Sequence, residues 1–346
     1  MHLRVYFGLA LFAFVLQGDV TMAQLNAPQS HPASHTISLN VMVTGAGGSL
    51  VGGLTQQDFT VLDKKIARPV ITFEEMVKKP AEVLVVIDAV NTPTIGVAYQ
   101  RDQIVKFLRS NGGRLAHPTS FAVLTDRNVQ TFNGTTTDGN ALADALEHFD
   151  IGLRDIRRSS GFYGGEDQVT ISLAALRNII AYQAKLPGRK LVLWVSPGWP
   201  LLSGAGVELS KKQEQQIFEN VVDLSTQLRE AGITLYAVNT WGVGESLVRA
   251  SYYQDFLKGV SKPEQVQLGD LGLQVLAVQS GGLALNSNGA TEMLQRCEAD
   301  ADDYYRITFE PAPSEQPNEY HPLEIRVAKP GLTVRTSQGY YSQPTP

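Results

Sequence analysis

Cysteine is almost missing from this chain. Its 346 residues include one, Cys297, which excludes an intrachain disulfide and any Cys-based zinc cluster. Histidine is scarce too, with six in all, and no His-Glu-x-x-His pair supplies zinc-hydrolase spacing. A Gly-x-Ser-x-Gly nucleophile elbow is likewise absent. Neither sign of charge dominates: 29 basic residues against 34 acidic ones leave a net charge of −5. That gives no global pull toward nucleic acid or anionic lipid. Beyond Leu16, no stretch is apolar for long enough to span a bilayer.

What is present suits a globular protein. At 43% hydrophobic and 18% charged residues, the chain has material for one large or two ordinary domains. Its start reads as a targeting segment. Arg4 precedes an apolar run from Val5 to Leu16, and Thr21-Met22-Ala23 ends in a small residue before Gln24. This is the pattern of a secretory signal (residues 1–23) cut after Ala23, which sends the rest to the periplasm or outside the cell. A retained anchor is the alternative. No cysteine lies at the cut, so a bacterial lipid anchor does not fit. Residues 24–35 read as a linker; His31 and His35 lie there with nothing nearby to complete a metal site.

The centre of the pattern is Val83-Leu-Val-Val-Ile-Asp88. An apolar run without alternation reads as a strand buried on both faces, as in a parallel sheet covered by helices. Asp88 then stands at the strand's carboxyl end, where open α/β sheets bind ligands. With Asn91 and Thr92 it offers hard oxygen ligands of the kind Mg²⁺ or Ca²⁺ takes. Two plainer roles compete: Asp88 capping the following loop and Asn91 bonding its own backbone.

On either side of this strand the pattern changes twice. Residues 36–80 alternate (Ile37, Leu39, Val41, Val43) and read as a small antiparallel unit, too short to bury a good core alone. Gly45 to Gly48 opens no helix and reads as a hairpin turn. From residue 81 to 303, strands and helical stripes alternate, with helices expected at 99–110, 168–185 and 210–231 among others. This predicts an α/β fold with a doubly wound, mostly parallel sheet. Residues 151–167 interrupt it as a loop, basic at Arg154, Arg157 and Arg158 and then glycine-rich. Residues 304–346 return to strands. The economical inference is that they pair with residues 36–80, so that the α/β domain is inserted into a small β-sandwich.

Other candidates give little chemistry. Ser196 ends a strand but is followed by proline. His117, His148 and His321 read as surface residues, and Cys297 as a small packed side chain. Trp194 reads as core. Trp199 and Trp241 follow strand ends on the same rim as Asp88; they read either as a protein-binding surface or as loop anchors.

These residues together resemble the von Willebrand factor type A fold, and the whole chain resembles secreted VWFA-related proteins of Acidobacteria. The pieces that carry the resemblance are Gly53-Leu-Thr-Gln-Gln-Asp-Phe59, the strand ending at Asp88, Leu186-Pro-Gly-Arg-Lys190, Ser280-Gly-Gly282, and the ending Gly339-Tyr-Tyr341. The resemblance implies a divalent cation, such as Mg²⁺, bound by an Asp-x-Ser-x-Ser loop, a later threonine and a second aspartate. Carried onto this chain, Asp88 and Thr92 match the loop, and Thr170 the later threonine, with Asp167 as its substitute. Val90 stands where a hydroxyl belongs, and Pro197-Gly198 where the second aspartate belongs, so the implied site is degenerate. The expectation is a non-enzymatic, protein-binding module with a weak or absent cation and an unknown protein ligand. Its rim would present Asn91, Trp199 and Trp241. A structural assembly module with a vestigial site is the second reading, and an α/β hydrolase the third.

Overall fold

The computed structural model describes residues 36–77, 79, 81–132, 134–149, 162–200, 208–240 and 251–344. The signal and linker segments, the Arg154–Arg158 group and Trp241 lie outside the described residues.

Three sheets form the fold, and the expected α/β class is the one observed. The first sheet holds β1 (Ile37–Thr44), β4 (Val70–Val77), β12 (Asp303–Phe309) and β14 (Thr333–Arg335), in the order β14-β1-β12-β4. The second holds β2 (Phe59–Asp63), β3 (Ile66–Arg68), β13 (Glu319–Val327) and β15 (Gly339–Ser342), in the order β15-β13-β2-β3. Early and late strands interleave in both: Leu39 lies opposite Ile307, and Val61 opposite Ile325. Alternation explains the packing. Ile37, Leu39, Val41 and Val43 point inward with Val61, Ile307, Phe309 and Tyr340, filling one core between the sheets.

Between these strands runs the third sheet, built from β5 (Ala81–Asp88), β6 (Arg114–Leu124), β7 (Val129–Thr131), β8 (Thr136–Asp138), β9 (Arg189–Val195), β10 (Ile233–Asn239) and β11 (Ala284–Asn286). Its order is β11-β10-β9-β5-β6-β7, with β8 also on β6; β7 and β8 run antiparallel and the rest parallel. Helices α1 (Thr94–Arg109), α2 (Gly139–Glu147), α3 (Phe162–Gln183), α4 (Lys211–Glu230), α5 (Leu273–Gln279) and α6 (Ala290–Ala299) connect the strands. The unbroken apolar run of β5 is used on both faces. Leu84 and Val86 enter one core with Trp194 and α3, while Val83, Val85 and Ile87 enter another with α1. Full burial of such side chains is worth about 1.5–3 kcal/mol each.

Two helices start earlier than the apolar stripes alone imply. Pro93 sits at the N-cap of α1, where its fixed φ suits a helix start, so α1 opens at Thr94. The expected loop 151–167 ends sooner than its glycines suggest, because α3 opens at Phe162 and buries Gly164 and Gly165 within its first turns.

The sandwich is tied to the α/β part through Asp300. Its carboxylate accepts from Arg335 at 2.5 Å and from the Tyr236 hydroxyl at 2.6 Å. Arg189 lies 4.3 Å over the Tyr304 ring and also reaches the Asp300 carbonyl. Among the described residues, no helix is long and apolar enough to cross a membrane.

Candidate functional site

The strand order reverses between β5 and β9: the chain leaves β5 for β6 on one side and later places β9 on the other. A reversal of this kind opens a crevice at the carboxyl ends of the strands. Asp88 ends β5 at its mouth and is wholly buried. Its Oδ1 accepts from the backbone N–H of Val90 (3.0 Å) and Asn91 (2.9 Å). Its Oδ2 accepts from Asn91 Nδ2 (2.8 Å) and from Trp194 Nε1 (2.9 Å), which reaches across from β9. Both carboxylate oxygens are thus satisfied by N–H groups, an arrangement that holds a buried carboxylate without a counter-ion.

The same network fixes the turn to α3. Asn91 Nδ2 also donates to Ser172 Oγ at 2.8 Å, and Ser172 Oγ donates to the Gln168 carbonyl at 2.7 Å. Because that serine proton is committed, the serine must accept from Asn91, which sets the orientation of the amide. Gln168 Nε2 closes the ring on the Val90 carbonyl at 3.0 Å. Thr92 is buried and accepts from Gln100 Nε2 at 3.2 Å.

These residues do not fit a divalent cation. A cation needs several lone pairs converging on one point; here two N–H groups converge on Asp88 Oδ2, and Asn91 Oδ1 is the one side-chain oxygen of the turn that is buried without a partner among the described residues, too little to hold an ion. Among the described residues, no group of three or more His, Cys, Asp or Glu side chains is arranged to hold a metal. The residues proposed for the site separate accordingly. Asp88, Asn91 and Thr92 share the turn. Thr170 is exposed: Gln168 and Ser172, four residues apart on one helix face, turn toward Asp88, and Thr170 between them faces away. Asp167, its substitute, is exposed as well. Trp199 is not a surface residue. It is 2% exposed and meets Trp194 edge-on, with ring centroids 5.6 Å apart. The rim aromatic therefore anchors the turn after β9 through its packing.

Sequence reasoning missed three members of this network. Trp194 carried the best signal, since a buried indole N–H needs an acceptor and Asp88 ends the adjoining strand. Ser172 and Gln168 gave none until the start of α3 was known. The rim also holds a feature with no sequence signal: Ile95 and Tyr99, one turn apart on α1, are 78% and 40% exposed just beyond Thr92.

Two of the three histidines read as surface residues are buried. His117 lies inside and its Nε2 meets Asp302 at 3.1 Å; His148 is exposed at the end of α2. His321 is wholly enclosed on β13 because its strand faces the sandwich interior at that register, despite the proline that follows. Its Nδ1 donates to Asp63 Oδ1 at 2.9 Å, and its Nε2 lies 3.1 Å from Ser314 Oγ. This is the residue order of an acid–histidine–serine relay. Asp63 also accepts from the Tyr340 hydroxyl (2.6 Å) and the Ala312 N–H (2.7 Å). Burial raises the Asp63 carboxyl, but the bonds from His321, Tyr340 and Ala312 outweigh it and hold the group below the ordinary carboxylate value. The cluster joins β2, β13 and β15 inside the sandwich. Cys297 is buried, and burial pushes its thiol far above the ordinary value, which leaves it unreactive.

No family model matches the sequence, and no curated protein matches it. Solved structures with a related arrangement include human COPII-coat protein Sec24c (10% identity, TM-score 0.33, 86% of this chain and 51% of that one). This chain thus spans about half the length of that Sec24c chain. Others are BatB from Bacteroides thetaiotaomicron (13%, TM-score 0.32, 64% and 98%) and manganese-loaded TRAP protein of Plasmodium vivax (10%, TM-score 0.32, 80% and 98%). Likeness at this level says nothing about the chemistry of the present chain.

Proposed function

We propose that the chain is an exported, non-enzymatic protein-interaction module that works without a divalent cation. One observation carries the reading. At the strand-end position where the resemblance implies a metal, Asp88 is closed by four N–H donors, and apolar Ile95 and Tyr99 stand exposed on the adjoining helix. Exposed apolar side chains beside a rigid rim support contact with a protein surface. The signal-like first residues support export.

The test is retention of an envelope protein from the producing cell by the immobilised chain beginning at Gln24. Retention of the same partner in EDTA and in millimolar Mg²⁺, lost in an Ile95→Asp/Tyr99→Ser variant, is the expected result. Retention only with Mg²⁺ overturns the metal-free reading. Retention unchanged in the variant turns the reading to its alternative, assembly through the β-sandwich. Covalent labelling of Ser314 by a fluorophosphonate, with ester turnover lost in Ser314→Ala, would show an enzyme instead.

A further inference from the structure

A second region of the α/β part has the features of a small-molecule site and lies apart from the rim. Where the sheet ends at β7, a cleft of about 380 Å³ opens between β5, β6, β7 and the carboxyl-terminal half of α3. This lies within the range of small-molecule pockets, at its lower end. Leu84, Phe132, Ile179 and Tyr182 give it apolar walls, and Tyr182 stands 59% exposed.

Its polar lining is unusual. Glu82 precedes Leu84 and Val86 on the same face of β5, so strand alternation sends a carboxylate into a layer that is otherwise apolar. Glu82 Oε2 is shielded from solvent and has no hydrogen-bond partner among the described residues. Gln183, from the last turn of α3, also lines the cleft and is only 4% exposed; its Oε1 is a second buried acceptor with no partner among the described residues. The cation nearest in register is Lys190 on β9, but its Nζ donates to the Ala231 carbonyl at 3.2 Å. Burial lowers the Lys190 pKa and the Glu82 charge opposes that, so the two sense each other without bonding.

Two buried acceptors without donors are costly to leave unmade, and more so where one is charged. The missing complement is a set of N–H donors bearing positive charge. We propose that this cleft binds a small apolar ammonium compound, its charge held by the Glu82 and Gln183 side chains as they turn their buried acceptors into the cleft, and its hydrocarbon body between Leu84, Phe132, Ile179 and Tyr182. The site is independent of the rim, so either reading can fail without the other.

Calorimetric titration of the chain beginning at Gln24 tests it with three probes of one shape: 2-phenylethylammonium, 2-phenylethanol and 3-phenylpropionate. The ammonium should bind saturably, about tenfold or more tighter than the alcohol, and the carboxylate should not bind. Glu82→Gln should cost the ammonium about tenfold or more and leave the alcohol unchanged. Ile179→Trp, which fills the cleft from its apolar wall, should abolish both, with circular dichroism showing each variant folded. If Glu82→Gln does not fold, Gln183→Leu takes its place, with the same loss expected. Equal affinity for ammonium and alcohol would overturn the proposal, leaving an apolar hollow only. So would an ammonium affinity indifferent to the acceptor variant, or no saturation at millimolar probe.

Discussion

Trp194 Nε1 donates to Asp88 Oδ2 at 2.9 Å, joining the two strands between which the sheet order reverses. The bond crosses the crevice that a parallel sheet of this kind otherwise leaves for a ligand. One indole thus packs against Trp199 and satisfies the carboxylate that ends the central strand. At that position the carboxylate is satisfied by the protein's own donors.

Trp194→Phe should therefore destabilise the chain by about 2–4 kcal/mol, combining a lost bond to a charged acceptor with a small void. Urea unfolding measures it. In the parent chain, millimolar Mg²⁺ or EDTA should leave the midpoint where it is. A cation held at Asp88 would raise the midpoint by mass action, contrary to this expectation.

Asp300 makes the second case. It is 5% exposed and accepts from Arg335 on β14 and Tyr236 on β10. Arg335→Met removes one partner of a buried pair and should cost about 3–5 kcal/mol, most of it from the unpaired carboxylate. The double variant Arg335→Met/Asp300→Asn should recover part of that loss. A double variant no more stable than the single one would mean that Asp300 is not what makes Arg335 matter.

How much of this was legible depends on range along the chain. The β5 run declared a strand buried on both faces, and Asp88 declared its carboxyl end, because both signals are local. Thr170, expected as the later threonine, is exposed, while Ser172 two positions on turns toward Asp88 through Asn91. The glycines at 164 and 165, poor helix formers, hide the start of α3 and so the face the helix turns inward. His321 read as a surface residue because its partner, Asp63, lies 258 positions away and only strand pairing brings them together. The pocket acid Glu82 was hidden in the same way: strand alternation gives its face, but the depth of the cleft comes from α3.

The His321 cluster can be tested for what it does. His321→Leu leaves Asp63 with the Tyr340 hydroxyl and the Ala312 N–H, so the carboxylate stays partly satisfied. The variant should lose about 2–4 kcal/mol in urea unfolding, as befits a buried hydrogen-bonded group. Binding to an envelope partner should survive below the unfolding transition. Loss of binding with stability unchanged would make the cluster functional, not structural.

Asp270 gives a pH dependence of defined sign. It precedes α5, is 3% exposed, and accepts one backbone bond, from Gln267 at 2.7 Å. Burial pushes its carboxyl up from 3.8 to about 6, against a smaller lowering by that bond. The folded chain therefore holds this proton more tightly than the unfolded chain does. Its stabilising share is fully present below pH 3.8 and is lost as pH rises through about 6. A shift of this size corresponds to about 3 kcal/mol. Asp270→Asn keeps an oxygen for the Gln267 N–H and removes the titration. Comparing urea midpoints of parent and variant isolates this group from the other carboxylates. The variant should gain on the parent steadily from about pH 4 to about pH 6 and hold the gain above that. A difference that stays flat across the window would mean that Asp270 ionises in the folded chain as readily as in the unfolded one.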